Sequence, residues 1–424
     1  MKDDYLQNMI PDSLSGLVFG FEGIRNAVVL LNGPTGCKFY HSATADNQML
    51  RQMAFDPHNY PVLWYFGQPR VPCTWLDKSD YVFGSEEKIK EAIAFLRETT
   101  PFDLLVIINS PGAALIGDDL RRIVNEAVSD LGMASSEAQV ITIESPGYSR
   151  TIYEGYQRAC QAAIEALGGD NRDPSAGASE NAAAPDQSGR TARPKVNLLG
   201  LSIFHKYYQG DRQEYERLLS LCGIDVQTSL CCECEIEEIR RITEADLNVV
   251  VDPDYGLETA RYLEKNFGMP YVCPDGLPIG FEETERFFTR ICETLGCDVA
   301  PLIEDSERAR AKSFLYISRI NSLTGQPKGV RFAVHGSPAQ KLGYSRFLTD
   351  YFGMSEDAGD IWETDAKLVF ADGNIIGGLK ARGHLFTGIE TGMPSLGYID
   401  VIPKTHLGIN GALLICEQVL NGMV

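Results

Sequence analysis

The feature that most constrains this fold is an alternation of short apolar runs with amphipathic segments of helical period. Apolar runs in the first third predict buried strands at 24–31, 102–108 and 139–143. Amphipathic stripes predict helices at 86–98, 119–131 and 152–167. Strands that are apolar on both faces and separated by helices favour a parallel sheet covered on both sides.

The same alternation restarts twice further along the chain. The second series predicts strands at 196–203, 224–230 and 247–252, and helices at 213–222, 235–243, 256–267 and 300–322. The third series predicts strands at 329–335 and 367–371, and helices at 338–352 and 411–420. Three series of this kind indicate an α/β protein with three α/β units.

Residues 168–195 interrupt the pattern. They are rich in Gly, Pro, Ser, Ala and Asn and contain almost no large apolar side chain, which is typical of a flexible linker. The predicted organisation is therefore a first domain, a linker, a second domain with a long helix, and a third domain. Their ranges are 1–167, 168–195, 196–327 and 328–424.

Composition narrows the classes of function. A length of 424 residues suggests about two to four domains. The net charge of −20, with no cluster of Lys and Arg, argues against a nucleic-acid or anionic-membrane surface. The sequence has no run of about 20 apolar residues that would span a membrane. The acidic N-terminal segment lacks a signal core, so a cytoplasmic location is expected.

Eleven cysteines are many for a chain expected in a reducing compartment. Cys37 lies in the turn formed by Gly33, Pro34 and Gly36, at the carboxyl end of the first predicted strand. Ligands collect at such strand ends, so we predict a ligand role for Cys37 and a cofactor-binding role for the glycines. A phosphate-binding loop is disfavoured, because neither the P-loop ending nor the GxGxxG spacing is present. Cys73, in a Pro-rich and aromatic-rich segment, is either a ligand or a buried loop thiol.

Several short motifs, in this order, resemble the nitrogenase component 1 family. That family includes the subunits of the molybdenum–iron protein, protochlorophyllide and chlorophyllide reductases, and a nickel-tetrapyrrole reductase. The motifs are GPTGC at 33–37, Cys73, LIGDDL at 115–120, SPGY at 145–148, the unit at 247–272, LPIG at 277–280 and LGINGALLI at 407–415. Together they cover nearly the whole chain.

The resemblance implies three Rossmann-like domains, doubly wound and mostly parallel, around a central cavity. It also implies that Cys37 and Cys73 bind an iron–sulfur cluster at a subunit interface. Thiolates suit such clusters because soft sulfur ligands match iron. The implied partners are a dimeric, ATP-hydrolysing iron–sulfur reductase protein and a second subunit, either another copy of this chain or a homologue.

The sequence departs from the family at two places. Ser110 stands where a third family cysteine usually lies, and we expect it to line the cofactor site. Two chains that each supply Cys37 and Cys73 would provide the four ligands of one 4Fe-4S cluster. Asp252 stands where true nitrogenases use a cysteine to hold their metallocofactor, and no histidine occupies the other ligand position. Dinitrogen reduction is therefore not expected.

A CCEC sequence follows the predicted strand at 224–230. Cys231, Cys232 and Cys234 are candidate ligands for a second metallocluster or for a substrate metal, and a tetrapyrrole is the alternative to a second metallocluster as a further cofactor. Adjacent thiols often fail to reach one metal, so buried or solvent-edge thiols remain the alternative. Cys160 and Cys222 fall on apolar helix stripes and are interpreted as structural.

Three residues are candidates for catalysis in the cavity: His406, His335 and Asp252. A proton donor to a reduced substrate must be a titratable group close to its working pKa. Each histidine has the alternative of a loop residue with its hydrogen bonds satisfied. Lys380 and Arg382 are candidates for holding an anionic substrate or cofactor carboxylate.

The predicted function is a subunit of a nitrogenase-like two-component reductase that reduces a substrate between its domains. One alternative is a scaffold that assembles a metallocofactor without turnover, with CCEC as the transient anchor. Another is an α/β protein that binds a small molecule without any metal.

Overall fold

The computed structural model describes residues 11–34, 71–133, 138–144, 150–168, 193–393 and 400–423. These residues belong to two compact units. The first unit comprises Ile10–Ala166 and Cys231–Ile239, and the second comprises Leu167–Leu230 and Arg240–Val424. The described residues contain three sheets, and every strand pair within them is parallel. The predicted α/β class with parallel sheets is confirmed.

The sheet of the first unit contains β1 (Ala27–Asn32), β2 (Leu104–Asn109) and β3 (Gln139–Ile143), in that order. Its helices are α1 (Ser13–Glu22), α2 (Asp80–Phe83), α3 (Glu86–Thr99), α4 (Pro111–Ala114), α5 (Leu120–Asp130) and α6 (Ile152–Leu167). The central strand β2 is buried throughout, as its LLVIIN sequence requires. The stripe of α3 packs into the same core as the apolar residues of β1, β2 and α5.

The second unit contains two sheets of four strands each. One holds β4 (Lys195–Leu199), β5 (Asp225–Ser229), β6 (Leu247–Val250) and β7 (Tyr271–Val272) in the spatial order β5-β4-β6-β7. The helices that follow its strands in the second unit are α7 (Tyr208–Leu221), α9 (Pro253–Phe267), α10 (Phe281–Leu295) and α11 (Ala300–Thr324), whereas α8 (Ile236–Arg240) lies almost entirely in the segment that belongs to the first unit.

The other sheet holds β8 (Arg331–Val334), β9 (Ser355–Glu356), β10 (Leu368–Asp372) and β11 (Thr387–Gly392) in the order β11-β10-β8-β9. Its helices are α12 (Pro338–Arg346), a π-helix at Phe347–Tyr351, α13 (Gly373–Ala381) and α14 (Gly408–Asn421). In both sheets the chain begins in an inner strand, moves to the edge and then crosses back. The order reverses between β4 and β6 and between β8 and β10, and ligands bind at such switch points in doubly wound sheets.

Several element boundaries differ from the prediction. The strand predicted at 196–203 ends at Leu199, because Gly200 turns the chain with a φ of +89°. The helix predicted at 338–352 is α12 followed by the π-helix, and the helix predicted at 235–243 is only the five residues of α8. The long helix predicted at 300–322 is confirmed as α11, which ends before Gly325 in the left-handed conformation.

The predicted linker lies largely outside the described residues, at 169–192. Each predicted domain contains one of the three sheets, except that β4 begins at Lys195, and the division into three domains stays a prediction. Cys231–Ile239 belongs to the first unit, where the Arg25 N–H donates to the Cys234 carbonyl at 2.8 Å. Among the helices that the structure describes, none is long and apolar enough to cross a bilayer.

Candidate functional site

The carboxyl edge of the first sheet carries a ladder of polar side chains. The Asn32 amide donates to Asn109 Oδ1 at 2.8 Å, and the Asn109 amide donates to Glu144 Oε2 at 2.8 Å. The Thr74 hydroxyl donates to Asn32 Oδ1 at 2.7 Å. Because each of the three strands contributes one member, the ladder fixes their ends against one another and creates a rigid rim.

Cys73 lies at this rim, in a segment that runs parallel to the end of β1. The Leu31 N–H donates to the Pro72 carbonyl at 2.9 Å, and the Thr74 N–H donates to the Leu31 carbonyl at 3.1 Å. The Gly33 N–H donates in turn to Thr74 Oγ1 at 3.0 Å. The half-buried Cys73 is therefore held beside the start of the glycine turn. Cys37 and Gly36 lie outside the described residues.

Ser110, the other predicted cofactor residue at this rim, is fully buried. Its N–H donates to the Asn32 carbonyl at 2.9 Å, and its hydroxyl accepts from the Ala113 N–H at 3.3 Å as the N-cap of α4. The position is therefore adjacent to the rim, while the side chain itself is engaged in capping. Its cofactor role stays a prediction.

Apolar side chains are exposed on the segments next to Cys73. We call Trp75, Val82, Phe83 and Leu115 the apolar surface; they are 57%, 74%, 86% and 87% exposed. α2 contacts α4, since a Cβ on Gly112 would lie 2.8 Å from the Tyr81 hydroxyl. Large apolar side chains grouped on a surface mark sites of protein association.

The switch point between β4 and β6 brings together His205 and Asp252, which we call the buried pair. His205 Nε2 lies 3.9 Å from Asp252 Oδ2, and their side chains are 14% and 2% exposed. Asp252 caps α9 by accepting from the Asp254 N–H at 2.9 Å. The sequence analysis selected Asp252 but missed His205, because only the pairing of β4 with β6 places the two residues side by side.

Burial changes the acid–base behaviour of both members of this pair. Removal from water lowers the pKa of His205 to about 4. It also raises the pKa of Asp252 to about 8, with the nearby Asp254 carboxylate acting in the same direction. At neutral pH the pair is therefore a neutral imidazole beside a largely protonated carboxylic acid.

The switch point between β8 and β10 holds a second pair, His335 and Asp372, which we call the open pair. His335 Nδ1 lies 3.8 Å from Asp372 Oδ2, and their side chains are 41% and 23% exposed. Asp372 caps α13 by accepting from the Ile375 N–H at 3.0 Å. Desolvation lowers the pKa of His335, and the Asp372 carboxylate opposes that shift.

His406, the third catalytic candidate, is buried with both ring nitrogens hydrogen-bonded. Its Nδ1 is 2.7 Å from the Tyr344 hydroxyl, and its Nε2 donates to Gln418 Oε1 at 2.8 Å. Burial lowers its pKa to about 3, although the Gln418 contact acts in the opposite direction. A histidine in this state anchors the loop before α14, and this geometry gives no support to a role in proton transfer.

Lys206, the residue after His205, belongs to a buried ionic cluster. Lys206 Nζ lies 3.1 Å from Glu390 Oε2 and 2.9 Å from Asp400 Oδ2, which joins the loop after β4 to β11. The predicted anion-binding residues lie elsewhere: Arg382 stacks at 4.5 Å over the ring of Trp362, and Lys380 is in the last turn of α13. Their role in binding an anion stays a prediction.

The CCEC segment packs inside the first unit. Cys231, Cys232 and Cys234 are fully buried, and Cys231 is hydrogen-bonded to Cys160 on α6. The contact with Cys160 and burial raise the pKa of Cys231, and burial raises the pKa of Cys234 to about 12. In the part of the chain that the structure describes, no three His, Cys, Asp or Glu side chains are grouped to hold a metal ion. The ligand role of CCEC stays a prediction.

Comparison with known proteins gives one family. The sequence model described as nitrogenase component 1 type oxidoreductase matches residues 14–355. The chain is 27% identical over 288 residues to one subunit of the light-independent protochlorophyllide reductase of Synechococcus sp. (strain WH7803). That match covers 68% of this chain and 51% of the relative, so the chain spans about half of the relative's length.

A second relative is matched over more of its length. The subunit of the same name from Gloeothece citriformis (strain PCC 7424) is 24% identical, over 94% of this chain and 79% of that protein. The solved structure "Nitrogenase Cp1 at pH 6.5" superposes with a TM-score of 0.69 at 16% identity, over 96% of this chain and 91% of that one. At this identity the structural likeness shows the fold alone.

Proposed function

This chain belongs to the nitrogenase component 1 type oxidoreductase family, and from that premise we propose that it is one subunit of a two-component reductase. In this proposal, an interface iron–sulfur cluster held by Cys37 and Cys73 takes electrons from an ATP-hydrolysing iron–sulfur protein. A substrate bound between the domains is then reduced. The proposed location is the cytoplasm.

The position of Cys73 is the observation that carries this proposal. Its backbone is hydrogen-bonded to the end of β1, beside the glycine turn that leads to Cys37 in the sequence. A half-buried thiol at the rim of a sheet has the donor atom that a metal cluster needs. The donor chemistry fits a cluster, since thiolates are the usual ligands of iron–sulfur centres.

The apolar surface supports a second subunit at the same rim. Trp75 lies two residues after Cys73, Val82 and Phe83 are on α2, and Leu115 follows α4; all four are exposed, and burying them would favour association. Because Ser110 stands where the family has its third cysteine, each chain offers two thiolates here. Two chains would then share one 4Fe-4S cluster with four thiolate ligands.

The proposed substrate class is an unsaturated tetrapyrrole. The relatives compared above are named protochlorophyllide reductase subunits, and that name motivates the choice for this chain. A dinitrogen-reducing cofactor is not proposed, because Asp252 stands at the cysteine position that holds it in true nitrogenases. The scaffold alternative uses CCEC as an anchor, and the complete burial of those thiols gives it no support.

The test is the iron and sulfide content of anaerobically purified protein, together with electron paramagnetic resonance after reduction. About two irons per chain are expected, since one four-iron cluster would be shared by two chains. Cys37→Ala and Cys73→Ala should both lose the iron and the signal. The matched control is Cys273→Ala, which removes another half-buried thiol and should retain both.

Two outcomes would contradict the proposal. Iron that is retained in both variants would mean that other residues bind the metal. It would favour the scaffold alternative, with CCEC as the anchor. The absence of iron from strictly anaerobic protein would favour the metal-free binding protein instead.

A further inference from the structure

The buried pair lies at the place where a doubly wound sheet presents chemistry to a ligand. His205 is on the loop that follows β4, and Asp252 follows β6, the neighbouring strand across the switch point. The carboxyl ends of strands at such a point form the crevice in which ligands bind. The buried pair therefore lies where a sheet of this kind binds its ligand.

The backbone around Asp252 is held tightly. A Cβ on Gly200 would lie 2.5 Å from the Asp252 carbonyl oxygen, and a Cβ on Gly256 would lie 2.9 Å from the Leu199 carbonyl carbon. Glycine at both places lets the end of β4 approach the start of α9 closely. The Asp252 carboxyl thus has a fixed position, with Oδ1 already engaged by the Asp254 N–H.

The ring of His205 is also oriented. Its Nδ1 accepts from the Ser202 N–H at 3.4 Å, and its ring packs at 88° to the ring of Tyr255 with centroids 4.5 Å apart. A neutral ring that accepts at Nδ1 carries its proton on Nε2. This Nε2 is buried and has no hydrogen-bond partner among the described residues, which is costly unless another group engages it.

The separation of 3.9 Å between Nε2 and Oδ2 is too long for a direct hydrogen bond, and it has the size of a gap for one bridging oxygen atom. The His205 side chain is 14% exposed and that of Asp252 is 2% exposed, so the gap between them is largely shielded from solvent. The pair thus combines a fixed acid with an unused N–H donor directed toward it.

Among the described residues, the other titratable groups that interact electrostatically with Asp252 carry no positive charge. They are Asp254 on α9, Tyr215 on α7 and Cys273 after β7, each electrostatically coupled to Asp252, in addition to the neutral His205. Without a cation to stabilise the carboxylate, burial raises the pKa of Asp252 to about 8. The acid therefore keeps its proton at neutral pH.

We propose that Asp252 is the acid that stores and supplies the proton of the reduction, and that His205 is the residue that positions it. This inference rests on the proposed function, in which a one-electron iron–sulfur donor supplies the electrons. When an electron enters the unsaturated substrate, the O–H bond of Asp252 breaks. The proton then bonds to the substrate atom that has gained electron density, directly or through one water molecule in the gap.

The remaining steps restore the pair. The carboxylate left on Asp252 is stabilised by the Nε2–H of His205 through the oxygen atom that bridges the 3.9 Å gap, and His205 remains neutral. Solvent then returns a proton to Asp252, and a second electron from the donor together with this second proton completes the two-electron, two-proton reduction of the unsaturated bond. A neutral imidazole suits this positioning role. Its N–H stabilises the carboxylate after the proton transfer, but it does not ionise Asp252 before the transfer.

Infrared spectroscopy of the full chain tests the proposal without iron or substrate. The wild type should show the carbonyl band of a protonated carboxylic acid at pH 7, titrating near pH 8. Asp252→Asn should remove that band and keep the helix cap, since asparagine also caps well. Asp372→Asn is the matched control and should leave the band in place.

His205 is tested by the midpoint of the same titration. His205→Leu should raise the midpoint by about one pH unit, because one donor to the charged form is lost. His205→Gln retains an N–H donor and should restore most of the shift. A merely structural role for the ring would change thermal unfolding in both variants but would not produce this rescue.

The proposal is overturned if no protonated-acid band at pH 7 depends on Asp252. It is equally overturned if the midpoint is the same in wild type and His205→Leu. Neither result depends on iron content, so the failure of this inference is distinguishable from the failure of the cluster proposal.

Discussion

The second unit carries the same arrangement twice, with opposite exposure. In each of its two sheets, a histidine that follows the first strand faces an aspartate that caps the helix after the third strand. The nitrogen–oxygen separations are nearly equal, at 3.9 Å in the buried pair and 3.8 Å in the open pair. The buried pair has side-chain exposures of 14% and 2%, whereas those of the open pair are 41% and 23%.

This difference shows that the fold places the histidine and the aspartate next to each other, whereas burial sets their pKa values. In both sheets the residues at the switch point include a histidine and an aspartate side by side. Only where water is removed does the pKa of the acid rise to about 8 and that of the imidazole fall to about 4. At the open pair, solvent exposure and the Asp372 carboxylate oppose the lowering of the pKa of His335.

The largest expected effect comes from disturbing the backbone that holds the buried pair. Gly200→Ala should lower the free energy of unfolding by about 3 kcal/mol, through left-handed strain and overpacking. The residue has a φ of +89°, and its new Cβ would lie 2.5 Å from the Asp252 carbonyl oxygen. Denaturant titration of the purified chain measures the change.

Gly223→Ala is the control for this prediction. Gly223 has a similar φ of +74°, but nothing lies within 4 Å of the position of its Cβ. Gly223→Ala should therefore lower the free energy of unfolding by only about 1 kcal/mol, which is the cost of placing alanine in the left-handed conformation. Equal losses in the two variants would show that the close approach of β4 and α9 is not tight, and the rigidity assigned to the buried pair would be lost.

The second prediction concerns the pH dependence of stability. Asp252 has its pKa raised from 3.8 to about 8. Between these values the folded chain keeps a proton that the unfolded chain has lost, so this residue makes stability fall as pH rises from about 4 to about 8. Asp252→Asn removes this contribution.

Relative to wild type, Asp252→Asn should therefore gain stability as the pH is raised from 4 to 8. The gain should exceed about 1.4 kcal/mol, the equivalent of one pKa unit. His205 acts in the opposite direction below its ordinary pKa, but it is common to both proteins and cancels in the comparison. A constant difference between the two denaturation curves across this window would refute the raised pKa.

Much of this architecture is predictable from the sequence, because apolar runs and helical stripes report burial directly. The position of Asp252 at a strand end follows from the run at 247–252. His205 does not follow, because its FHKYY surroundings carry no strand pattern and its partner is distant in the chain. Short strands such as β7 and β9, with two residues each, are also too brief for any period to reveal.

The sequence is least informative about which distant segment a given segment packs against. The CCEC segment follows a strand of the second unit, yet it packs in the first unit against α6. His406 lies in a loop that resembles a cavity wall by its position, but Tyr344 and Gln418 occupy both of its ring nitrogens. Both facts depend on tertiary contacts between segments far apart in sequence, and a local pattern does not contain them.

The third prediction separates the two histidines by their reactivity. Diethyl pyrocarbonate at pH 7 should modify His335 at least about tenfold faster than His205, because acylation requires access to an unprotonated ring nitrogen. Their side chains are 41% and 14% exposed. Peptide mapping by mass spectrometry measures both rates, with the buried His406 as an internal reference. Comparable rates at His205 and His335 would remove the distinction between the buried and open pairs.

The smallest effect is expected from Asp372→Asn at the open pair. Asparagine preserves the cap of α13, so the free energy of unfolding at pH 7 should change by less than about 0.5 kcal/mol. Burial also raises the pKa of Asp372, but its side chain is 23% exposed, and the hydrogen bond from the Ile375 N–H and the charge interaction with His335 oppose the shift, so the change in stability between pH 4 and 8 should be smaller than for Asp252. The same denaturation series used for Asp252→Asn measures it. If Asp372→Asn gained as much stability with pH as Asp252→Asn, position at the switch point rather than burial would set the acidity of both pairs.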